Sequence, residues 1–155
     1  VNAVGEIELD VPARPEYLSL VRQVVAAAAG VQPLRDDRIE GLRLAVSEAT
    51  TNAIESYTNL RDGDPTGSQR VVIRCNLDHD QVEVEVSDRG GGGFEPGSAP
   101  FPSPDDPDRL DNERGLGLPL IRHFADESEI TVGESGTSVR LVVYTPWRGQ
   151  QHHDT

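Results

Sequence analysis

The sequence contains no lysine and no methionine, and a single cysteine, Cys75. All 14 basic residues are therefore arginine, which removes three devices at once: the phosphate-binding loop ending in Gly-Lys-Ser/Thr, the strand lysine of ordinary protein kinases, and Schiff-base chemistry. One cysteine permits no internal disulfide, so a cytoplasmic protein is the default expectation. No stretch approaches the ~18 apolar residues of a membrane span, and Val1 to Asp10 has neither the basic start nor the apolar run of a signal peptide. Positive charge is also scarce. A net charge of −13 argues against a nucleic-acid backbone, whose binding rests on clustered Arg and Lys, and suits a basic protein partner.

What is present fits one domain. At 155 residues with 35% apolar content, the chain can bury a modest core and leaves considerable loop. Glu6 to Val11 alternates as a half-buried strand, broken by Pro12 and Pro15. Leu18, Val21, Val25 and Ala28 give a first helix one apolar face, with Gly30 as terminator. A second helix, with Asp36 or Asp37 as its cap, carries Ile39, Leu42, Val46, Ala49, Ala53 and Tyr57 at steps of three and four. Val71 to Leu77 and Val82 to Val86 alternate on either side of Asp78-His79-Asp80-Gln81, a hairpin. A third helix follows Gly115, then two strands around Ile130–Val132 and Val139–Val143, joined by a turn at Gly133 to Gly136. The expected domain is 1–147, with a frayed polar tail over 148–155. This order predicts an α/β two-layer sandwich, three helices on one face of a mixed, mostly antiparallel sheet.

Three short motifs carry chemistry. Glu48 and Asn52 stand four residues apart on the second helix, hence on one face, about a third of a turn from the middle of its apolar stripe. Asp88-Arg89-Gly90 ends a strand. There a carboxylate can accept a hydrogen bond from an exocyclic amine, and glycine lets backbone approach a flat ligand. Gly115-Leu116-Gly117-Leu118 opens the third helix and leaves its first N–H groups free for phosphate oxygens. Between the last two lies an aperiodic stretch, residues 95–113, with five prolines, long enough to be a functional loop. Taken singly, each motif is more often an ordinary turn or a solvated helix face. In this order they describe a site for ATP and Mg²⁺. Asparagine oxygen is a hard ligand for the metal, and Glu48 is a base one turn away.

The three motifs resemble the boxes of the Bergerat-fold, histidine-kinase-like ATPases, the superfamily that includes gyrase and MutL. Within it, Leu44-Ala45-Val46-Ser47-Glu48-Ala49-Thr50-Thr51-Asn52-Ala53-Ile54 and Arg114-Gly115-Leu116-Gly117-Leu118-Pro119-Leu120-Ile121 resemble the RsbW-like anti-sigma-factor serine kinases. The resemblance implies ATP bound by Asp88 at the adenine amine, by Gly90 and Gly92 beside the base, by Gly115, Leu116, Gly117 and Leu118 at the phosphates, and by Thr137 near the adenine. It implies Mg²⁺ on Asn52, Glu48 as catalytic base, Arg114 reaching the γ-phosphate, and residues 95–113 as an ATP lid. It also implies partners: a sigma factor held away from RNA polymerase, a STAS-type anti-anti-sigma factor phosphorylated on Ser or Thr, and a second copy of the chain. A nucleotide-gated binding module without kinase activity is the alternative. A histidine-kinase catalytic domain ranks below both, because His123 lies within the third helix and no dimerisation helix carries an acceptor histidine.

Cys75 reads as core, His79 and His123 as structural or exposed, and His152 and His153 as tail residues. Arg14 and Arg22 read either as surface charges or, by the resemblance, as part of a sigma-binding face.

Overall fold

The computed structural model describes residues 3–58, 69–89, 117–133 and 136–148. Five strands, β1 (Ala3–Pro12), β2 (Arg70–Asp78), β3 (Gln81–Arg89), β4 (Glu127–Gly133) and β5 (Gly136–Tyr144), form one sheet in the order β1-β2-β3-β5-β4. All four pairings are antiparallel, the limiting case of the mostly antiparallel sheet expected. The cause is connectivity. Three of the four neighbours run in opposite directions because β2–β3 and β4–β5 are hairpins and β1 folds back on β2.

Helices α1 (Leu18–Ala29), α2 (Asp36–Thr58) and α3 (Gly117–Phe124) pack on one another and on the sheet, α1 over β2 and α2 across β3 and β5. Alternation in the strands supplies the floor of the core: Val71, Ile73, Cys75, Leu77, Val82, Val84, Val86, Val139, Leu141 and Val143 are all buried. Val21, Val25, Leu42, Ala45, Val46 and Ala49 close it from the helix side. Burial pushes the Cys75 thiol up to about 11, which fits a core residue and not a nucleophile.

The opposite sheet face is charged. Glu8, Arg74, Glu85, Arg140 and Glu129 form one cross-strand row that alternates in sign through all five strands. Arg74 pairs with Glu8 at 3.0 Å, and Arg140 reaches along its strand pair to Glu83 at 2.8 Å. Such solvent-screened pairs add little stability, but they mark this row as facing solvent, while Val72 and Val142 on the same face are buried.

Two helix boundaries differ from the sequence reading. Pro15–Tyr17 forms a 3-10 turn before α1, and Gly30 closes α1 in an ordinary helical conformation (φ −68°). Asp36 and Asp37 lie inside the first turn of α2, where their charge suits the helix dipole, and the Arg35 carbonyl accepts from the Arg38 and Ile39 N–H groups. Arg148 is not part of a frayed tail. Its guanidinium lies 3.6 Å from the centre of the Tyr144 ring, and its Nη1 donates to Gln81 Oε1 at 3.0 Å. The remaining tail, residues 149–155, lies outside the described residues. No helix among the described residues is long and apolar enough to cross a membrane.

Two contacts fix α2. Gly41 is buried against α3, where an added Cβ would come within 2.5 Å of the Phe124 ring, so a glycine there sets how closely the two helices approach. At its start, Arg38 pairs with Asp126, whose Oδ2 also accepts from the Tyr144 N–H at 2.7 Å. The start of α2 is thereby tied to the C-terminal end of β5. From there α2 runs back across β3 and β5 toward the other end of the sheet, where β3 ends and β5 begins. At 1.5 Å per residue, Asn52 lies ~21 Å along the helix from Arg38.

Candidate nucleotide site

Asp88 is the penultimate residue of β3 and continues the parity of Val82, Val84 and Val86, so its side chain faces the helix layer. It is a buried carboxylate, 7% exposed. One of its oxygens, Oδ1, accepts the Thr137 backbone N–H at 2.8 Å. Burial pushes the Asp88 carboxyl above the ordinary carboxylate range, against the smaller lowering effect of that N–H.

The start of β5 is shaped to allow this bond. Gly136 has φ +128°, a region that side chains rarely adopt, and a Cβ there would lie 2.7 Å from the Asp88 carbonyl oxygen as well as against its carboxylate. Thr137 shares the parity of Val139, Leu141 and Val143, and its Oγ1 is buried without a hydrogen-bond partner.

On α2, the polar face turns inward along the helix. Leu44 is 49% exposed, Glu48 is half-buried, and Asn52 Nδ2 is buried without a partner. Each step of four residues advances ~40° around the helix, which carries the face from solvent toward the interior. The orphaned Asn52 amide and Thr137 hydroxyl are groups that a ligand would satisfy, since unpaired buried polar atoms cost ~1–3 kcal/mol each. Turning the amide about its last torsion presents oxygen in place of nitrogen, so the residue suits a cation as well as a phosphate. Among the described residues no group of three or more His, Cys, Asp or Glu could hold a metal alone. A Mg²⁺ held by one asparagine oxygen and by phosphate oxygens fits that chemistry.

Gly117 and Leu118 open α3, as the third motif requires. Gly90, Gly92, Arg114, Gly115, Leu116 and the expected lid over residues 95–113 lie outside the described residues. Sequence reasoning missed two supporting contacts. Gly136 was legible only as a turn glycine, and nothing in the sequence tied it to Asp88. Arg22 Nε donates to Ser47 Oγ at 2.9 Å, which links α1 to the residue just before Glu48. No signal in the sequence pointed to this contact, and the burial of Ser47 is seen only in the structure. His79, at the hairpin turn, and His123, near the C-terminal end of α3, are exposed.

The family model of the histidine kinase-like ATPase domain matches residues 11–143. The chain belongs to that family. Within it, the serine-protein kinase RsbW of Bacillus pumilus is 32% identical over 158 residues, covering 99% of this chain and 94% of the relative. The RsbW of Bacillus subtilis is 33% identical over 159 residues with the same coverage. The chain is thus RsbW-like along its whole matched length. Two solved structures share the fold at low identity. The RsbU and RsbW domains of a Mycobacterium tuberculosis protein superpose with a TM-score of 0.61 at 18% identity, covering 90% of this chain and 32% of that one. The SiaB–SiaC complex of Pseudomonas aeruginosa gives 0.59 at 16% identity, with 88% of each chain covered.

Proposed function

We propose that this chain is an anti-sigma factor that sequesters a sigma factor and uses ATP to phosphorylate a serine or threonine of a STAS-type anti-anti-sigma partner. The observation that carries this reading is the pair of orphaned buried groups, Asn52 and Thr137, on the two walls that hold Glu48 and Asp88. The full-length likeness to RsbW serine-protein kinases supports it, and the same likeness disfavours a binding module without catalysis.

In this reading Asp88 accepts the adenine amine, Thr137 completes the contacts beside the base, and Gly90 and Gly92 leave room for it. Asn52 holds Mg²⁺, which neutralises phosphate charge when bound. Gly115, Leu116, Gly117 and Leu118 offer backbone N–H groups to the phosphates, and Arg114 steadies the γ-phosphate. Glu48 takes the proton of the acceptor hydroxyl. Residues 95–113 act as the lid of a single domain that extends through Arg148. The protein works in the cytoplasm as a homodimer. Nucleotide state sets partner choice, because a ligand shifts such an equilibrium only through its differential affinity for the two states.

The test is transfer of labelled γ-phosphate from ATP to purified STAS-domain proteins, together with capture of a sigma factor in the presence of ATP or ADP. Labelling of a serine or threonine, with sigma retention that depends on the nucleotide, is the expected result. Absence of labelling on every STAS protein tried would remove the kinase reading.

A further inference from the structure

β1 forms one edge of the sheet, and its outer side pairs with no strand among the described residues. Its regular register begins at Gly5, after an irregularity at Ala3, and ends at Pro12, which has no N–H to offer. The span free to pair is therefore Gly5–Val11, with Glu8 at its midpoint. Ile7 and Leu9 face the helix layer, yet Ile7 is 36% exposed, because α1 lies against β2 and leaves the edge strand uncovered. The other edge is closed on this side: α3 lies against β4, and Ile130 packs on the core.

α1 extends this apolar surface. Arg22, bonded to Ser47, marks the flank of α1 that meets α2. At ~100° per residue, Leu20, Val24 and Ala27 lie on the opposite flank, the one turned toward β1. Leu20 is 42% exposed, Ala27 is exposed, and Val31, just past the end of the helix, is 65% exposed. Solvation alone would set polar residues on such an outward flank. Edge strands are ordinarily guarded by charge. Here Glu6, Glu8 and Asp10 lie on the other sheet face, and arginines of β2 already meet all three. Arg74 stands 3.4 Å from Glu6 and 3.0 Å from Glu8, and Arg70 stands 2.9 Å from Asp10.

We infer that this edge of β1 and this flank of α1 form a self-association surface, which seats a second copy of the chain across a two-fold axis perpendicular to the sheet. Such an axis at Glu8 pairs the two β1 edges antiparallel, sets Ile7 of each copy against Leu9 of the other, and brings the two α1 flanks together on the same side. One operation covers both the strand edge and the helix stripe. An extended peptide from another protein would pair with the edge and leave Leu20, Ala27 and Val31 in water, so the occupant that fits the whole surface is a second copy. The inference locates the homodimer of the reading above and rests on it.

The test combines sedimentation of wild type, Ile7→Glu and Leu20→Glu at micromolar concentrations with oxidative cross-linking of Glu8→Cys and Glu129→Cys. The chain's single cysteine, Cys75, is buried and leaves an introduced thiol to react alone. Wild type is expected to sediment as a dimer, and each glutamate variant, placed twice in the interface, to raise the dimer Kd by at least about tenfold. Glu8→Cys is expected to form a disulfide-linked dimer, since residues directly opposite across antiparallel strands have Cβ atoms about 4.5–5.5 Å apart, whereas Glu129→Cys on β4 stays unlinked. Thermal unfolding of each variant checks that the exposed positions leave the fold intact. A dimer whose Kd is unchanged in both glutamate variants, or one that cross-links through Glu129→Cys and not Glu8→Cys, overturns this face and leaves the homodimer standing. A monomeric wild type overturns both, and labelled transfer to a STAS-domain protein by that monomer would still keep the kinase. A monomer whose affinity for the STAS-domain protein falls in Leu20→Glu assigns the face to that partner and overturns self-association.

Discussion

Gly136 and Asp88 are packed so closely that no side chain fits between them: a Cβ on Gly136 would press on the Asp88 carboxylate and come within 2.7 Å of its carbonyl oxygen. The backbone at Gly136 is also left-handed, at φ +128°. Gly136→Ala therefore combines backbone strain with a collision, and a loss of roughly 2–4 kcal/mol is expected from strain of ~1–3 kcal/mol plus displacement of a packed group. Urea unfolding measures the stability. Adenosine affinity is expected to fall as well, because the carboxylate that moves is the one assigned to the base.

Asp88 gives the site a pH dependence with a defined sign. Its carboxyl titrates above the ordinary range because burial disfavours the charge. Only the ionised form accepts a hydrogen bond through both oxygens, so adenosine affinity is expected to decline on acidification at a pH where ordinary carboxylates are still ionised. Asp88→Asn removes that limb of the profile. In nucleotide-free protein the sign runs the other way: a carboxyl whose folded pKa is raised favours folding at low pH, and that contribution is lost as pH rises through the folded value. Asp88→Asn is thus expected to raise the Tm slightly near neutral pH, with the gain shrinking in acid. Calorimetry at several pH values reads both.

Gly41 and Phe124 form a coupled pair between α2 and α3. Gly41→Ala gains ~1 kcal/mol of helix propensity but forces the ring to shift, at a cost of ~1–3 kcal/mol. A net loss is expected. Combining it with Phe124→Leu recovers part of that loss, so a double-mutant cycle by chemical denaturation yields a non-zero coupling energy. Additive losses would show that the two helices approach without this contact.

Asp126 joins the start of α2 to the end of β5 through Arg38 and the Tyr144 N–H. Asp126→Ala removes the acceptor of a backbone donor and of the Arg38 guanidinium at an exposed site, where water replaces it in part, a cost of about 0.5–1.5 kcal/mol. Hydrogen exchange is expected to speed up first at the Tyr144 amide and in the first turns of α2, while the Asp88–Thr137 bond keeps its protection.

Element order and type were legible because the strands alternate and the helices carry three-and-four spacing. Val82, Val84 and Val86 announced a strand, and the structure adds that their parity carries Asp88 onto the buried face. The Glu48/Asn52 spacing announced a shared helix face, and the structure adds that this face spirals inward, leaving Asn52 Nδ2 buried. Contacts between distant segments were not legible. No periodicity brings Gly136 against Asp88, Gly41 against Phe124 or Arg22 to Ser47, because each pairs residues from different elements whose approach is set by packing. Arg148 was misread for a related reason: a polar residue after the last strand looks like tail until a tyrosine ring and Gln81 are seen to receive it.

In the proposed reaction the two polar residues of α2 divide the work, with Asn52 holding the metal and phosphates and Glu48 handling the proton. The most direct measurement is ATP affinity and single-turnover phosphate transfer in Glu48→Gln and Asn52→Ala. Glu48→Gln is expected to keep ATP affinity within a few-fold while transfer slows by ~10²–10⁴, the usual contribution of a positioned base. Asn52→Ala is expected to lose Mg²⁺-dependent ATP binding itself. Normal transfer in Glu48→Gln, or undiminished Mg²⁺–ATP binding in Asn52→Ala, would contradict the division.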